Sequence, residues 1–184
     1  FCEEIKRILK PTGSFVLDIG GAWIPGSPVR SMYHFEVAVA LSKIFKLAQD
    51  FYWYNPSRLP TPAEWVTVRR LRVKDAVNTV WWFGKTENPT SDNRRVLQPY
   101  SEAMKSLLKN GYKAKMRPSG HDISKSFSKD NGGAIPSNLL TIANTDSNGS
   151  YLRLCREYAI SPHPARFPDK LVEFFSDLLL DGTP

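Results

Sequence analysis

Ser14-Phe15-Val16-Leu17-Asp18-Ile19-Gly20-Gly21 decides the fold class. Its nearly continuous apolar run fits a strand buried on both faces, as in a parallel sheet. Pro11-Thr12-Gly13 punctuates the chain just before it, and residues 1–10 carry Ile5, Ile8 and Leu9 on one helical face. After a loop over residues 20–28, the spacing of Phe35, Val39, Leu41, Ile44 and Phe45 predicts a helix over 34–48. Residues 50–54 read as a second strand and 79–83 as a third. Between them, residues 55–64 hold Pro56, Pro60 and Pro62 and read as loop. Strands alternating with helices predict an α/β domain with a mainly parallel sheet.

The pattern then changes. Residues 98–109 are a helix candidate, and 111–150 are rich in Gly, Ser, Asn and Lys with few apolar residues. A loop of that length in a compact domain is either functional or disordered. Residues 151–158 read as a short helix. Next comes His163-Pro164-Ala165-Arg166-Phe167-Pro168, followed by Asp169-Lys170-Leu171-Val172-Glu173-Phe174-Phe175. Pro168 fits the first turn of a helix, where its missing N–H is no loss, and Leu171, Phe174, Phe175 and Leu178 recur at helical spacing. A rigid loop that holds His163 and Phe167 at a helix mouth makes a wall for a flat or apolar ligand. A buried loop anchoring a core helix satisfies the same pattern. The organisation expected is a core over 1–96, an insert over 97–150, and a closing segment over 151–184.

The 184 residues suffice for one sizeable domain, and 41% apolar content supports a packed core. A net charge of +7 favours a polyanionic partner. No stretch is long and apolar enough to span a membrane, and Phe1-Cys2-Glu3-Glu4 does not open a signal peptide. Cys2 and Cys155 fit neither a disulfide framework nor a zinc pattern, which points to a reducing, cytoplasmic setting. His34, His121 and His163 sit in no ligand spacing, so no metal is expected. Both termini read as cut, so a longer parent protein is expected.

Asp18, Gly20 and Gly21 stand at the carboxyl end of a strand, where open α/β sheets bind ligands; a plain strand-to-loop turn would look the same. Phe51, Tyr52, Trp53 and Tyr54 precede Arg69, Arg70, Arg72 and Lys74. Rings stack on bases and cations pair with phosphates, yet a core strand beside a solvated basic turn has this composition too. In the insert, Arg117, Ser119, His121, Lys125, Ser128, Lys129 and Asn131 are types that read base edges or phosphates, and also types common in flexible loops.

The order FVLDIGG, DFYWYNPSRLPTPAEWV, RLRVKDAVNTVWWFGKT, RPSGHDISKSFSKDNGG and HPARFP resembles the cytosine-N4 DNA methyltransferases over essentially the whole chain. The likeness is greatest to the PvuII-type members, a permuted class of restriction–modification enzymes. It implies part of a Rossmann-like, S-adenosylmethionine-dependent methyltransferase sheet with a loop-rich target-recognition insert. It implies S-adenosylmethionine against Asp18, Gly20, Gly21 and the wall from His163 through Pro164, Ala165, Arg166 and Phe167 to Pro168. Double-stranded DNA would meet Arg69, Arg70, Arg72 and Lys74 and the insert residues, with the target cytosine flipped out and methylated at N4. The sequence departs from the class at two places: it has no S-P-P-[FY] run and no D-P-F-x-G run. No catalytic residue is therefore assigned, and these residues alone are expected to be inactive. An adenine-N6 methyltransferase, a non-catalytic DNA-binding module of the same fold and an unrelated nucleic-acid binder remain as alternatives.

Overall fold

The computed structural model describes residues 1–111, 129–145, 149–163 and 166–180. Residues 1–91 and 137–184 form one compact unit, and residues 92–136 a second. In the first unit the order is α1 (Cys2–Ile8), β1 (Ser14–Ile19), α2 (Tyr33–Leu41), β2 (Lys46–Tyr54) and β3 (Val77–Gly84). After the second unit come β4 (Leu139–Thr141), α4 (Ser150–Glu157) and α5 (Asp169–Leu179).

The strands form an open sheet in the order β1-β3-β2-β4. β3 runs antiparallel to both neighbours, while β2 and β4 are parallel. The sheet is thus mixed, which corrects the expectation of a mainly parallel one. The cause lies in the 55–76 connection. It contains no crossover helix, so the chain turns back and β3 inserts between β1 and β2 in the opposite sense.

Pleating sorts the side chains. Phe15, Leu17 and Ile19 share a face with Trp81 and Phe83, and there they meet Leu41 and Phe45 together with Ile5 and Leu9 of the α1 segment. Phe83 is fully buried, its ring centroid 6.3 Å from Phe15 and 6.2 Å from Phe45. The opposite face carries Val16, Asp18, Val80 and Phe51. Phe51 meets the Phe174 and Phe175 rings of α5 edge-on, at 6.0 and 5.1 Å. The sheet is therefore covered by α1 and α2 on one side and by α5 on the other, the layering expected of an α/β domain.

Several boundaries differ from the sequence reading. α2 stops at Leu41, because the turn over 42–45 folds back on it: Ile44 and Phe45 both donate backbone bonds to the Leu41 carbonyl, at 2.9 and 2.8 Å. β2 consequently starts at Lys46 rather than at residue 50, with a register shift between Leu47 and Gln49. β4 is three residues long and lies in the 111–150 stretch, which reads as loop. In the second unit the helix α3 (Glu102–Asn110) starts later than residue 98, since Pro99 disfavours helix before it and Ser101 caps the start by accepting from the Met104 N–H at 3.3 Å. A backbone bridge between Gln98 and Ala134, at 2.9 and 2.8 Å, closes this unit.

Candidate functional site

β1 and β2 point the same way, so their carboxyl ends and the start of β3 lie at one end of the sheet. The loops that leave this end are residues 20–32 and 55–76. Residues 142–145 leave β4 there too. This is the end of an open α/β sheet at which ligands bind.

Beside it, between the free side of β1 and helix α5, lies a cavity of about 650 Å³. Val16 and Asp18 of β1, Val80 of β3, Phe167, and Leu171 and Phe175 of α5 line it, with Ile8, Leu9 and Thr12 at the margin. Its size suits a small organic ligand, and its walls are chiefly apolar. Asp18 is the exception. Asn78 donates to its Oδ2 at 3.4 Å, while Oδ1 is buried and has no hydrogen-bond partner. Burial pushes the Asp18 carboxyl up from its ordinary value, opposed by the Asn78 amide and the Arg58 guanidinium. An orphaned acceptor in an apolar cavity is costly unless a ligand donor satisfies it.

The raised value carries a testable sign. A folded-state pKa above the unfolded one means that the native state holds its proton to higher pH. Stability then falls as pH rises through the window from 3.8 upward. Asp18→Asn, which keeps an acceptor for Asn78, is expected to raise the midpoint of thermal unfolding at pH 7. The gain should shrink towards pH 4, in a pH series of melting curves on both proteins.

A second cavity of about 290 Å³ lies on the other side of Phe167, lined by Asn144, Tyr151, His163, Arg166, Pro168 and Asp169 among others. The His163 N–H donates to Tyr151 Oη at 2.9 Å, and the Arg166 guanidinium lies 6.0 Å from the Tyr151 ring centroid. Phe167 faces both cavities and is 55% exposed. Of the nine residues assigned to the cofactor, Asp18 and Phe167 meet in the first cavity, and His163, Arg166, Phe167 and Pro168 in the second. Pro164 and Ala165 lie outside the described residues.

Gly20 and Gly21 line neither cavity. A Cβ at Gly20 would come within 3.0 Å of Asn78 Oδ1, and one at Gly21 would collide with the Arg30 guanidinium. Their missing side chains make room for neighbours within the chain. Arg30 pairs with Asp75, whose Oδ2 also accepts from Trp23 Nε1 at 3.1 Å, and Arg30 lies 5.4 Å from the Trp23 ring centroid. This cluster ties the loop after β1 to the approach to β3.

The basic stretch lies in the 55–76 connection, which leaves the same end of the sheet. Glu64–Val68 is one wide turn, in which the Arg69 N–H reaches the Glu64 carbonyl at 2.9 Å. Such turns recur at functional sites. Arg69 pairs with Glu64 at 2.7 Å and lies over the Trp65 ring at 5.2 Å. Lys74 donates to the Pro56 and Arg58 carbonyls at 3.2 and 3.3 Å, and Arg72 to the Leu71 carbonyl at 2.8 Å. Arg70 is exposed, with its backbone held in the left-handed region at φ 55°. Exposed Val68, Leu71 and Val73 are interleaved with these cations along the chain. In the second unit Lys129 is exposed, and the Asn131 N–H donates to Tyr100 Oη at 2.8 Å. Arg117, Ser119, His121, Lys125 and Ser128 lie outside the described residues.

Sequence reasoning missed Asn55, Asn78, Asn144 and Arg58. Asn78 had one legible signal: a polar residue two positions from Val80, on the strand face shared with Asp18. Among the described residues no group of His, Cys, Asp and Glu could hold a metal ion, and no helix is long and apolar enough to cross a membrane.

The sequence model of the DNA methylase family matches residues 1–177. The chain belongs to the DNA methylase family. It is 57% identical over 186 residues to the type II methyltransferase M.PvuII of Proteus hauseri, an alignment covering 98% of this chain and 55% of that protein. A solved structure, PvuII DNA methyltransferase (cytosine-N4-specific), superposes with a TM-score of 0.72 at 45% identity, covering 98% of this chain and 52% of that one. The family expected from the motif order is the family found, and the mixed sheet matches the Rossmann-like fold of that structure. The chain spans about half the length of these relatives.

Proposed function

We propose that this chain supplies the cofactor wall and the target-recognition part of an enzyme that methylates the N4 amine of cytosine in duplex DNA, in a bacterial cytoplasm. The observation that carries the reading is the cavity in which Asp18 and Phe167 meet, in a chain 57% identical to M.PvuII. When bound, S-adenosylmethionine supplies a methyl group on a sulfonium, which passes to the nitrogen as the amine loses a proton. The residues here fit that group. Phe167, Leu171 and Val16 offer apolar surface, and the unpartnered Asp18 Oδ1 offers an acceptor for an amine or hydroxyl of the ligand. Arg166 and His163 border the adjoining cavity.

The base to be methylated lies inside a duplex, so it must be extruded, and the groups that hold the surrounding DNA must be cationic and adaptable. Arg69, Arg70, Arg72 and Lys74 are proposed for one flank and Lys129 and Asn131, with the insert, for recognition. The groups that would aim the amine belong to an S-P-P-[FY] loop and the main cofactor loop is a D-P-F-x-G turn; these residues include neither.

The test is equilibrium binding by the 184-residue chain. Labelled S-adenosylmethionine should bind saturably and resist competition by ATP, a ligand that shares the adenine ring. Duplex DNA should bind with an affinity that falls linearly on a log–log salt plot. Methyl transfer to DNA should be undetectable. Saturable DNA binding with no S-adenosylmethionine binding would select the non-catalytic module, and binding of neither would overturn the reading.

A further inference from the structure

The loop that carries Phe167 is joined to the sheet by a short chain of amide hydrogen bonds. Asn55 follows β2 directly and is buried, 8% exposed. Its own N–H donates to the Ala76 carbonyl at 2.8 Å, and its Oδ1 accepts from the Ser57 N–H at 3.1 Å and the Asn144 N–H at 3.3 Å. The exit of β4 is fixed twice more: Ile142 N–H donates to the Tyr54 carbonyl at 3.1 Å, and its carbonyl accepts from Trp53 Nε1 at 2.8 Å. Asn144 is thereby held at a set distance from the sheet. Its side-chain Nδ2 donates to the Arg166 carbonyl at 3.0 Å, and it lines the cavity that Arg166 and Phe167 border.

We propose that Asn144, fixed in place by Asn55, is the positioning residue that sets Arg166 and Phe167 against the ligand; the ligand's identity rests on the cofactor reading above. The chemistry is specific to an amide. The backbone N–H of residue 144 serves Asn55 whatever the side chain, whereas reaching the Arg166 carbonyl needs a side-chain donor of asparagine length. An aspartate has the same shape and cannot donate when ionised. Without the bond, the Phe167 ring, already half exposed, would sample several places. Ligand affinity would then fall by the fraction of time the ring is misplaced.

Asn144→Asp and Asn144→Ser in the 184-residue chain test this. Backbone order parameters of Arg166 and Phe167 should drop in both variants, while those of Tyr52–Tyr54 and Leu139–Thr141 stay as in the parent. The dissociation constant for S-adenosylmethionine should rise about threefold to tenfold, the range for one neutral hydrogen bond, with the melting midpoint little changed. Unchanged order parameters and unchanged affinity in folded variants would overturn the proposal. Lowered order at Arg166 and Phe167 with no S-adenosylmethionine binding by the parent would leave Asn144 as the positioning residue and sink the cofactor reading instead.

Discussion

Phe83→Ala is expected to cost about 3–5 kcal/mol of stability, a large share of the about 5–15 kcal/mol that holds a domain folded. The ring is fully buried near the end of β3, between Phe15 and Phe45, and is part of the cluster that joins helices α1 and α2 to the sheet. Its neighbours in the cluster are Leu41, Phe45 and Trp81, so truncation leaves a largely apolar void with lost transfer energy and lost packing. Phe83→Leu should cost less, since it keeps most of the volume. Urea titration followed by circular dichroism checks this. A midpoint for Phe83→Ala equal to that of the parent would mean that the sheet face is not packed as described.

Phe167→Ala is expected to weaken S-adenosylmethionine binding by roughly 1–3 kcal/mol while leaving the fold intact. The two halves of that statement have different causes. The ring is 55% exposed, so its removal takes little from folding. It borders both cavities, so a ligand seated in either would cover it and lose that apolar contact in the variant. Calorimetric titration of parent and variant, beside their melting curves, separates binding from folding. An unchanged affinity in a folded variant would remove Phe167 from the site.

The parts of the fold written in short-range pattern were legible in the sequence. Ser14–Ile19 is a strand with the boundaries its apolar run implies, and α5 begins after Pro168 because the ring's fixed φ and missing N–H suit that position. What the pattern could not convey was pairing. The reversal of β3 depends on how a 22-residue connection returns, and neither β2 nor β3 records its partner's direction in its own composition. The start of β2 was hidden because Lys46, Leu47, Ala48 and Gln49 fit a helix as readily as a strand, and only the fold-back onto Leu41 decides between them. Asp18, singled out by its strand-end position, and Phe167, by its motif, line one cavity. Asn55 and Asn144 were not singled out, because their role exists only once residues 89 positions apart meet. At Gly20 and Gly21 the space left by the missing side chains is bordered by Asn78 and Arg30, contacts that the strand-end position alone does not convey.

The proposed cofactor site is a single location, the cavity between β1 and α5. A ¹⁵N-edited shift-mapping titration of the 184-residue chain with S-adenosylmethionine reads that location directly and tolerates weak binding. The expected result is a saturable set of shifts at Val16, Asp18, Phe167, Leu171 and Phe175, reduced in Phe167→Ala. Saturable shifts confined to other residues, or none at these five up to the solubility limit of the ligand, would contradict the assignment of this cavity to the cofactor.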